Sequence, residues 1–152
     1  MAPQATAHAS AVLIGARAVL IRGPSGAGKS RLALELIEAA RGNGLGFAML
    51  VGDDRVHLEA VGGRLLVRPA EGLAGLLEVR GLGLLRLDHE PQAVVGLVVD
   101  LDATDAERLP QPDRQNTDIS GIMLPRLAVA AGAEALPVTL AHLISGRLKA
   151  LV

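Results

Sequence analysis

The chain has 152 residues, 50% of them hydrophobic, with 15 Lys and Arg against 16 Asp and Glu and a formal net charge of −1. A single Phe, with no Tyr, Trp or Cys, excludes aromatic platforms for single-stranded nucleic acid, aromatic cages, disulfides, thiol catalysis and cysteine-based metal centres. The even charge balance argues against a nucleic-acid face or an anionic-membrane surface. The length fits one domain over residues 1–152, with a core of Leu, Val, Ile and Ala.

Met1–Ser10 lacks the positive start of a secretory signal, no uncharged apolar run approaches the roughly 20 residues of a membrane span, and zero Cys fits a cytoplasmic protein. Two apolar runs, 11–14 and 18–21, flank Gly15-Ala16-Arg17 and predict a hairpin. The second run enters the glycine-rich segment 23–30. Residues 29–41 then place Leu32, Leu36 and Ala39 on one face, with Glu35 and Glu38 off it, the pattern of an amphipathic helix ended by Gly42-Asn43-Gly44. Residues 47–51 read as a buried strand closing on Gly52-Asp53-Asp54. Residues 55–60 and 64–68 form a second hairpin around Val61-Gly62-Gly63. A helical turn or two is expected over 70–77, followed by an apolar stretch to Leu87 punctured by Gly81 and Gly83, and by a strand over 93–99. Residues 103–123, with Pro110 and Pro112, read as an exposed loop, 126–131 as a short strand, and 137–150 as a closing helix begun by Pro137. The mixture predicts an α/β fold, with a mixed β-sheet flanked by helices.

Gly23-Pro24-Ser25-Gly26-Ala27-Gly28-Lys29-Ser30 matches the P-loop pattern G-x-x-x-x-G-K-[ST]. Its glycines let the backbone approach phosphates, and its N–H groups and the following helix N-terminus form an anion nest. Lys29 is the residue to reach the β- and γ-phosphates, and the Ser30 hydroxyl the one to ligate Mg²⁺. The chain has only two lysines, Lys29 and Lys149, so a Lys at this position is not compositional background. The plain alternative is a glycine turn between strand and helix. A P-loop needs a second acid at a strand end. Asp53-Asp54 and Asp100 are equal candidates by pattern, and each could equally be a turn residue. Asp53 and Asp54 are adjacent, so their side chains should point apart and take separate roles.

Leu76-Leu77-Glu78-Val79-Arg80-Gly81-Leu82-Gly83-Leu84 is the second signature. With the P-loop, Gly52-Asp53-Asp54 and His8, it resembles the HPr kinase/phosphorylase family, from His8 to about Pro125. The likeness is strongest to the short alphaproteobacterial form that carries only the catalytic domain. The resemblance implies a P-loop kinase domain using ATP or pyrophosphate with Mg²⁺. It implies catalytic roles for Asp54 as acid/base, His8, Lys29 and Arg114, and a metal site of Ser30, Glu78 and Asp53. It implies a signature role for Arg80, Gly81 and Gly83. It further implies an HPr-like phosphocarrier protein as substrate, phosphorylated on serine, a homo-oligomer, and a reverse reaction in which phosphate attacks phosphoserine to give pyrophosphate. Where larger members carry a Pro-x-Arg-Pro-Gly-Arg-Asn-like loop, this chain reads Leu124-Pro125-Arg126-Leu127-Ala128. The kinase direction is therefore expected ahead of the phosphorylase direction. His57, His89 and His142 have no metal-ligand spacing and are expected on surfaces or strand faces. The rival readings are a P-loop kinase of a small molecule, which the scattered Arg108, Arg114 and Arg126 disfavour because they form no lid-like cluster, and a non-catalytic nucleotide-binding regulator.

Overall fold

The computed structural model describes residues 5–42 and 44–150, with side chains up to residue 145. The strands are β1 (Ala7–Ile14), β2 (Arg17–Arg22), β3 (Ala48–Gly52), β4 (Arg55–Val61), β5 (Arg64–Pro69), β6 (Leu76–Val79), β7 (Gly83–Arg86), β8 (Ala93–Asp100), β9 (Asn116–Ile119) and β10 (Ile122–Ala128). The helices are α1 (Lys29–Gly42) and α2 (Ala135–Ala150).

Eight strands form a mixed sheet in the order β2-β1-β4-β5-β8-β10-β9, with β3 on β1. Strand β2 also pairs with β8, in parallel, so the run β2-β1-β4-β5-β8 closes on itself into a ring. The two predicted hairpins are present, with Ile14 opposite Arg17 and Val61 opposite Arg64.

Alternation along the strands separates two cores. Ala9 and Ala11 of β1, Ala18 and Leu20 of β2, and Val56, Leu65 and Val67 of β4 and β5 fill the inside of the ring. Its tight curvature is met by small side chains at four of the cluster's twelve buried positions: Ala9, Ala11, Ala18 and Ala93. Val12, Ile14, Val19 and Ile21 point the other way, onto Leu32, Ala33, Leu36 and Ile37 of α1, and α2 packs against the same cluster through Leu136, Leu140 and Leu143. Both helices therefore cover one face, and the other face is covered by the ring. Between β2 and β8 the register slips at Gly96, where Ala18 pairs with Val95 but Val19 with Leu97. That extra residue returns Leu97 and Val99 to the helix face.

Several expected elements differ, among them the strand expected over 126–131, which is β10 over Ile122–Ala128. Residues 70–75 make turns rather than helix, with Leu73 N donating to Ala70 O and Leu76 N to Leu73 O, and the chain then enters the separate β6–β7 hairpin. Only the first part of 103–123 is loop. A 3-10 turn at Pro112–Arg114 leads into β9, which turns through Ser120 and Gly121 at positive φ to pair with β10. The buried face of α1 includes Ala40 in place of Ala39, because Leu32, Ala33, Leu36, Ile37 and Ala40 follow the 3.6-residue period more closely. The expected cap on Gly42-Asn43-Gly44 falls partly on Asn43, outside the described residues. Helix α2 starts two residues before Pro137, whose missing N–H is tolerated in a first turn.

Candidate active site

The P-loop leaves the end of β2 and wraps onto the start of α1. Gly26 and Gly28 have φ of 85° and 98°, conformations that a side chain would strain. Ala27 N donates to Pro24 O at 3.1 Å, and Leu32 N to Gly28 O at 2.9 Å opens the helix. Lys29 is buried, and its Nζ donates to the carbonyls of Gly23 and Pro24 at 2.8 and 3.0 Å. Burial pushes its pKa down, opposed by the carboxylates of Asp54, Asp53 and Asp102, and the net shift is downward.

The two strand-end acids differ in their contacts: Asp53 bonds the P-loop serine and Asp100 does not. Asp53 is 3% exposed. Its Oδ1 accepts from Ser10 Oγ at 2.5 Å and Ser30 Oγ at 2.7 Å, and its Oδ2 lies 2.9 Å from Ser30 Oγ and accepts from Glu78 N at 3.2 Å. Asp100 instead accepts from Arg22 at 2.7 and 2.9 Å and from Arg126 at 2.5 Å, a structural ion cluster under the loop.

Asp54 points the opposite way, as expected from its adjacency to Asp53. Its side chain is 63% exposed and its Oδ1 lies 3.3 Å from His8 Nε2. Around it, Arg55 N donates to Asp53 O at 2.8 Å while Asp54 holds φ 67°, a three-residue γ-type turn that sends one carboxylate inward and the next outward. His8 faces the same side of β1 as Ser10 and Val12, which sets it over the loop.

His8, Ser25–Arg31, Leu34, Asp54, Glu78, Val79 and Arg80 line one cleft of about 540 Å³, within the size range of small-molecule sites. Glu78 and Arg80 reach it because β6 is fixed by fully buried Leu77. The Arg80 guanidinium lies over the loop, 3.5 Å from where a Cβ on Gly26 would stand. Gly81 and Gly83 turn the hairpin behind it, with Leu82 N donating to Val79 O.

Arg114 is not brought to this cleft. It pairs with Glu107 at 3.1 Å and donates to Asp105 O on the loop after β8, where the 3-10 turn carries it. Ser10 is the site residue that sequence reasoning missed. The signal available was a polar residue on the helix-facing side of an otherwise apolar strand, two positions after His8.

Among the described residues no three His, Asp or Glu side chains converge as a metal cage. The donors present still fit Mg²⁺, which keeps waters and takes one or two protein groups plus phosphate oxygens. The Ser30 hydroxyl donates its hydrogen bond to Asp53, so its oxygen lone pairs are left for a cation, with the Glu78 carboxylate on the same cleft. Both Asp53 oxygens are engaged by hydrogen bonds, which suits a role through water.

A P-loop motif, a buried carboxylate behind its serine and an exposed carboxylate at the cleft mouth make a P-loop type of site. Residues 1–140 match the HPr Serine kinase C-terminal domain family, and the chain belongs to that family. It is 41% identical over 104 residues to the HPr kinase/phosphorylase of Neisseria meningitidis, covering 63% of this chain and 30% of that protein. It is 34% identical over 141 residues to the HPr kinase/phosphorylase of Caldicellulosiruptor bescii, covering 85% of this chain and 43% of that protein. The matches thus span less than half the length of these curated relatives. The solved Hpr(Ser) kinase/phosphatase from Coxiella burnetii superposes with a TM-score of 0.73 at 26% identity, over 96% of this chain and 92% of that one. Among the described residues no helix is long and apolar enough to cross a membrane.

Proposed function

We propose that the chain is an ATP-dependent protein serine kinase whose substrate is an HPr-like phosphocarrier protein. The observation that carries this reading is the exposed Asp54 carboxylate, paired with His8 at 3.3 Å and set on the same cleft as the phosphate loop. A base in that position is open to a hydroxyl presented by a protein surface, and a small-molecule kinase would gain nothing from such exposure.

In the forward direction the serine hydroxyl attacks the γ-phosphorus, and Asp54 takes its proton as the P–O bond to ADP breaks. His8 holds Asp54 oriented toward the acceptor. Lys29 exchanges the Gly23 and Pro24 carbonyls for phosphate oxygens, and Arg80 adds charge over the loop as the phosphoryl group transfers. Ser30 and Glu78, with Asp53 through water, would hold Mg²⁺, which neutralises phosphate charge when bound. In reverse, inorganic phosphate attacks the phosphoserine phosphorus to give pyrophosphate, and Asp54 returns its proton to the leaving serine oxygen. The residues corresponding to the family's C-terminal loop lie in β10 here, and the kinase direction is the stronger part of the reading. A cytoplasmic site of action and the homo-oligomer implied by the resemblance belong to the same proposal. Arg114, tied to Glu107, has no part in the cleft of its own chain in this mechanism.

The test is transfer of label from γ-labelled ATP, with Mg²⁺, to the serine of the HPr-like protein. Wild type is expected to label it, and Asp54→Asn to lower the rate by about 10²–10⁴-fold with nucleotide affinity retained. Bound ATP with no label on the protein overturns the kinase reading, and label on a metabolite instead favours a small-molecule kinase.

A further inference from the structure

Lys29, Arg31 and Arg80 are the lysine and arginine side chains of the phosphate cleft, and Arg31 has no part in the mechanism above. Its side chain is 81% exposed, and it pairs with Glu35, one helical turn on, at 3.4 Å. Helix stability does not account for an arginine here. The first turn of α1 holds Lys29 and Arg31 and no acidic residue, and a cation is unfavourable at the positive end of the helix dipole. A basic residue ahead of an acidic one is also the weaker order for an i, i+4 pair, and a pair this exposed contributes little.

Its place on the loop is distinctive. Ala27, Gly28 and Arg31 line both the cleft and a second cavity of about 440 Å³, so Arg31 stands where the two meet, at the Gly28 end of the P-loop. Arg80 lines the cleft alone and lies at the other end, 3.5 Å from where a Cβ on Gly26 would stand. A single phosphate can meet one of these guanidinium groups. A chain of two or more phosphates lying along Gly26–Gly28 can meet both. The planar N–H fork of a guanidinium matches phosphate oxygens, and the loose, exposed pair with Glu35 is given up at little cost.

We infer that Arg31 is a specificity residue of this cleft. Its guanidinium turns from Glu35 to the phosphate chain at the Gly28 end while Arg80 holds the Gly26 end, so the site favours a diphosphate or longer chain over orthophosphate. The inference rests on the phosphotransferase reading above and adds to it the residue that selects among phosphate anions.

Titration calorimetry with Mg²⁺ would compare pyrophosphate with orthophosphate, the latter read as a competitor, on wild type, Arg31→Gln and Arg31→Lys. Arg31→Gln is expected to bind pyrophosphate at least about fivefold more weakly and orthophosphate within about twofold of wild type. Thermal melting of Arg31→Gln should fall no lower than wild type, since the substitution removes a cation from the positive end of a helix. Arg31→Lys, which keeps the charge, should bind pyrophosphate more tightly than Arg31→Gln. A smaller loss for pyrophosphate, an equal loss for both anions, or a melting temperature that falls together with the affinity overturns the inference and leaves the phosphate cleft intact. Failure of wild type to bind pyrophosphate overturns the phosphotransferase reading itself.

Discussion

Two neighbouring carboxylates have opposite environments because one turn separates them. Asp53 is buried among donors, and Asp54 stands in solvent against His8. The positive φ at Asp54 is costly for most side chains, but Asp and Asn adopt it more readily than others, so Asp54→Asn keeps the backbone while removing the proposed base. Ser10 is the less visible half of this arrangement. It is fully buried and its hydroxyl is one of three donors that hold the Asp53 carboxylate, with Ser30 and the Glu78 amide. Ser10→Ala leaves a buried carboxylate short of a donor, which costs about 1–3 kcal/mol. Urea denaturation should register that loss, and label transfer should fall with it, because Ser30 would then be held by a carboxylate free to shift. Wild-type stability in Ser10→Ala would show that the bond contributes nothing net.

The β6–β7 hairpin is a two-stranded sheet outside the main ladder, and such hairpins are marginal alone. It is secured chiefly by Leu77, fully buried in the core shared with α1, with Val79 and Leu87 packed beside it. Since it delivers Glu78 and Arg80 to the cleft, Leu77→Ala should cost about 2–5 kcal/mol. The variant's label-transfer rate should drop further than its pyrophosphate affinity, and amides 76–86 should exchange faster with deuterium. Equal protection of those amides in variant and wild type would show that the hairpin is anchored elsewhere. The elements legible in the sequence are those whose pattern is local. The P-loop, its helix and both early hairpins carry period and turn signals within a few residues. The hairpin of β9 and β10 was hidden because Pro110 and Pro112 dominate the segment, although Ser120-Gly121 is a fair two-residue turn. Closure of the ring was not legible, since it depends on pairing between β2 and β8, far apart in the chain. The same holds for Arg114: its motif is local, but its partner is chosen by the path of a loop.

The ring, the P-loop and β10 meet at one ion cluster. Arg22 ends β2 immediately before Gly23, Asp100 ends β8, and Arg126 lies in β10 and also binds Asp105 at 2.8 and 3.0 Å. Leu101 N donates to Arg22 O at 2.8 Å, so the backbone is tied at the same point. Burial pushes the Asp100 carboxyl up, but hydrogen bonds and charge from Arg22 and Arg126 outweigh it and hold the group below its ordinary value of 3.8. Arg126 is held above its ordinary range, by its bond to Asp105 first, and stays charged throughout. Between the lowered pKa and the ordinary one the unfolded chain binds more protons than the folded one, so stability rises with pH there. The contribution is complete above the ordinary carboxylate value and is lost as pH falls below it, through the lowered value. Asp100→Asn should therefore cost about 3 kcal/mol near neutral pH, where it leaves Arg22 beside a neutral amide and Arg126 with Asp105 alone. That deficit should shrink as the pH of a denaturation series is taken down through the acid range, where the wild-type carboxyl is itself protonated. A deficit that stays constant with pH would mean that the side chain acts through shape rather than charge. The P-loop hangs from this cluster, so the variant's affinity for pyrophosphate should weaken alongside its stability near neutral pH.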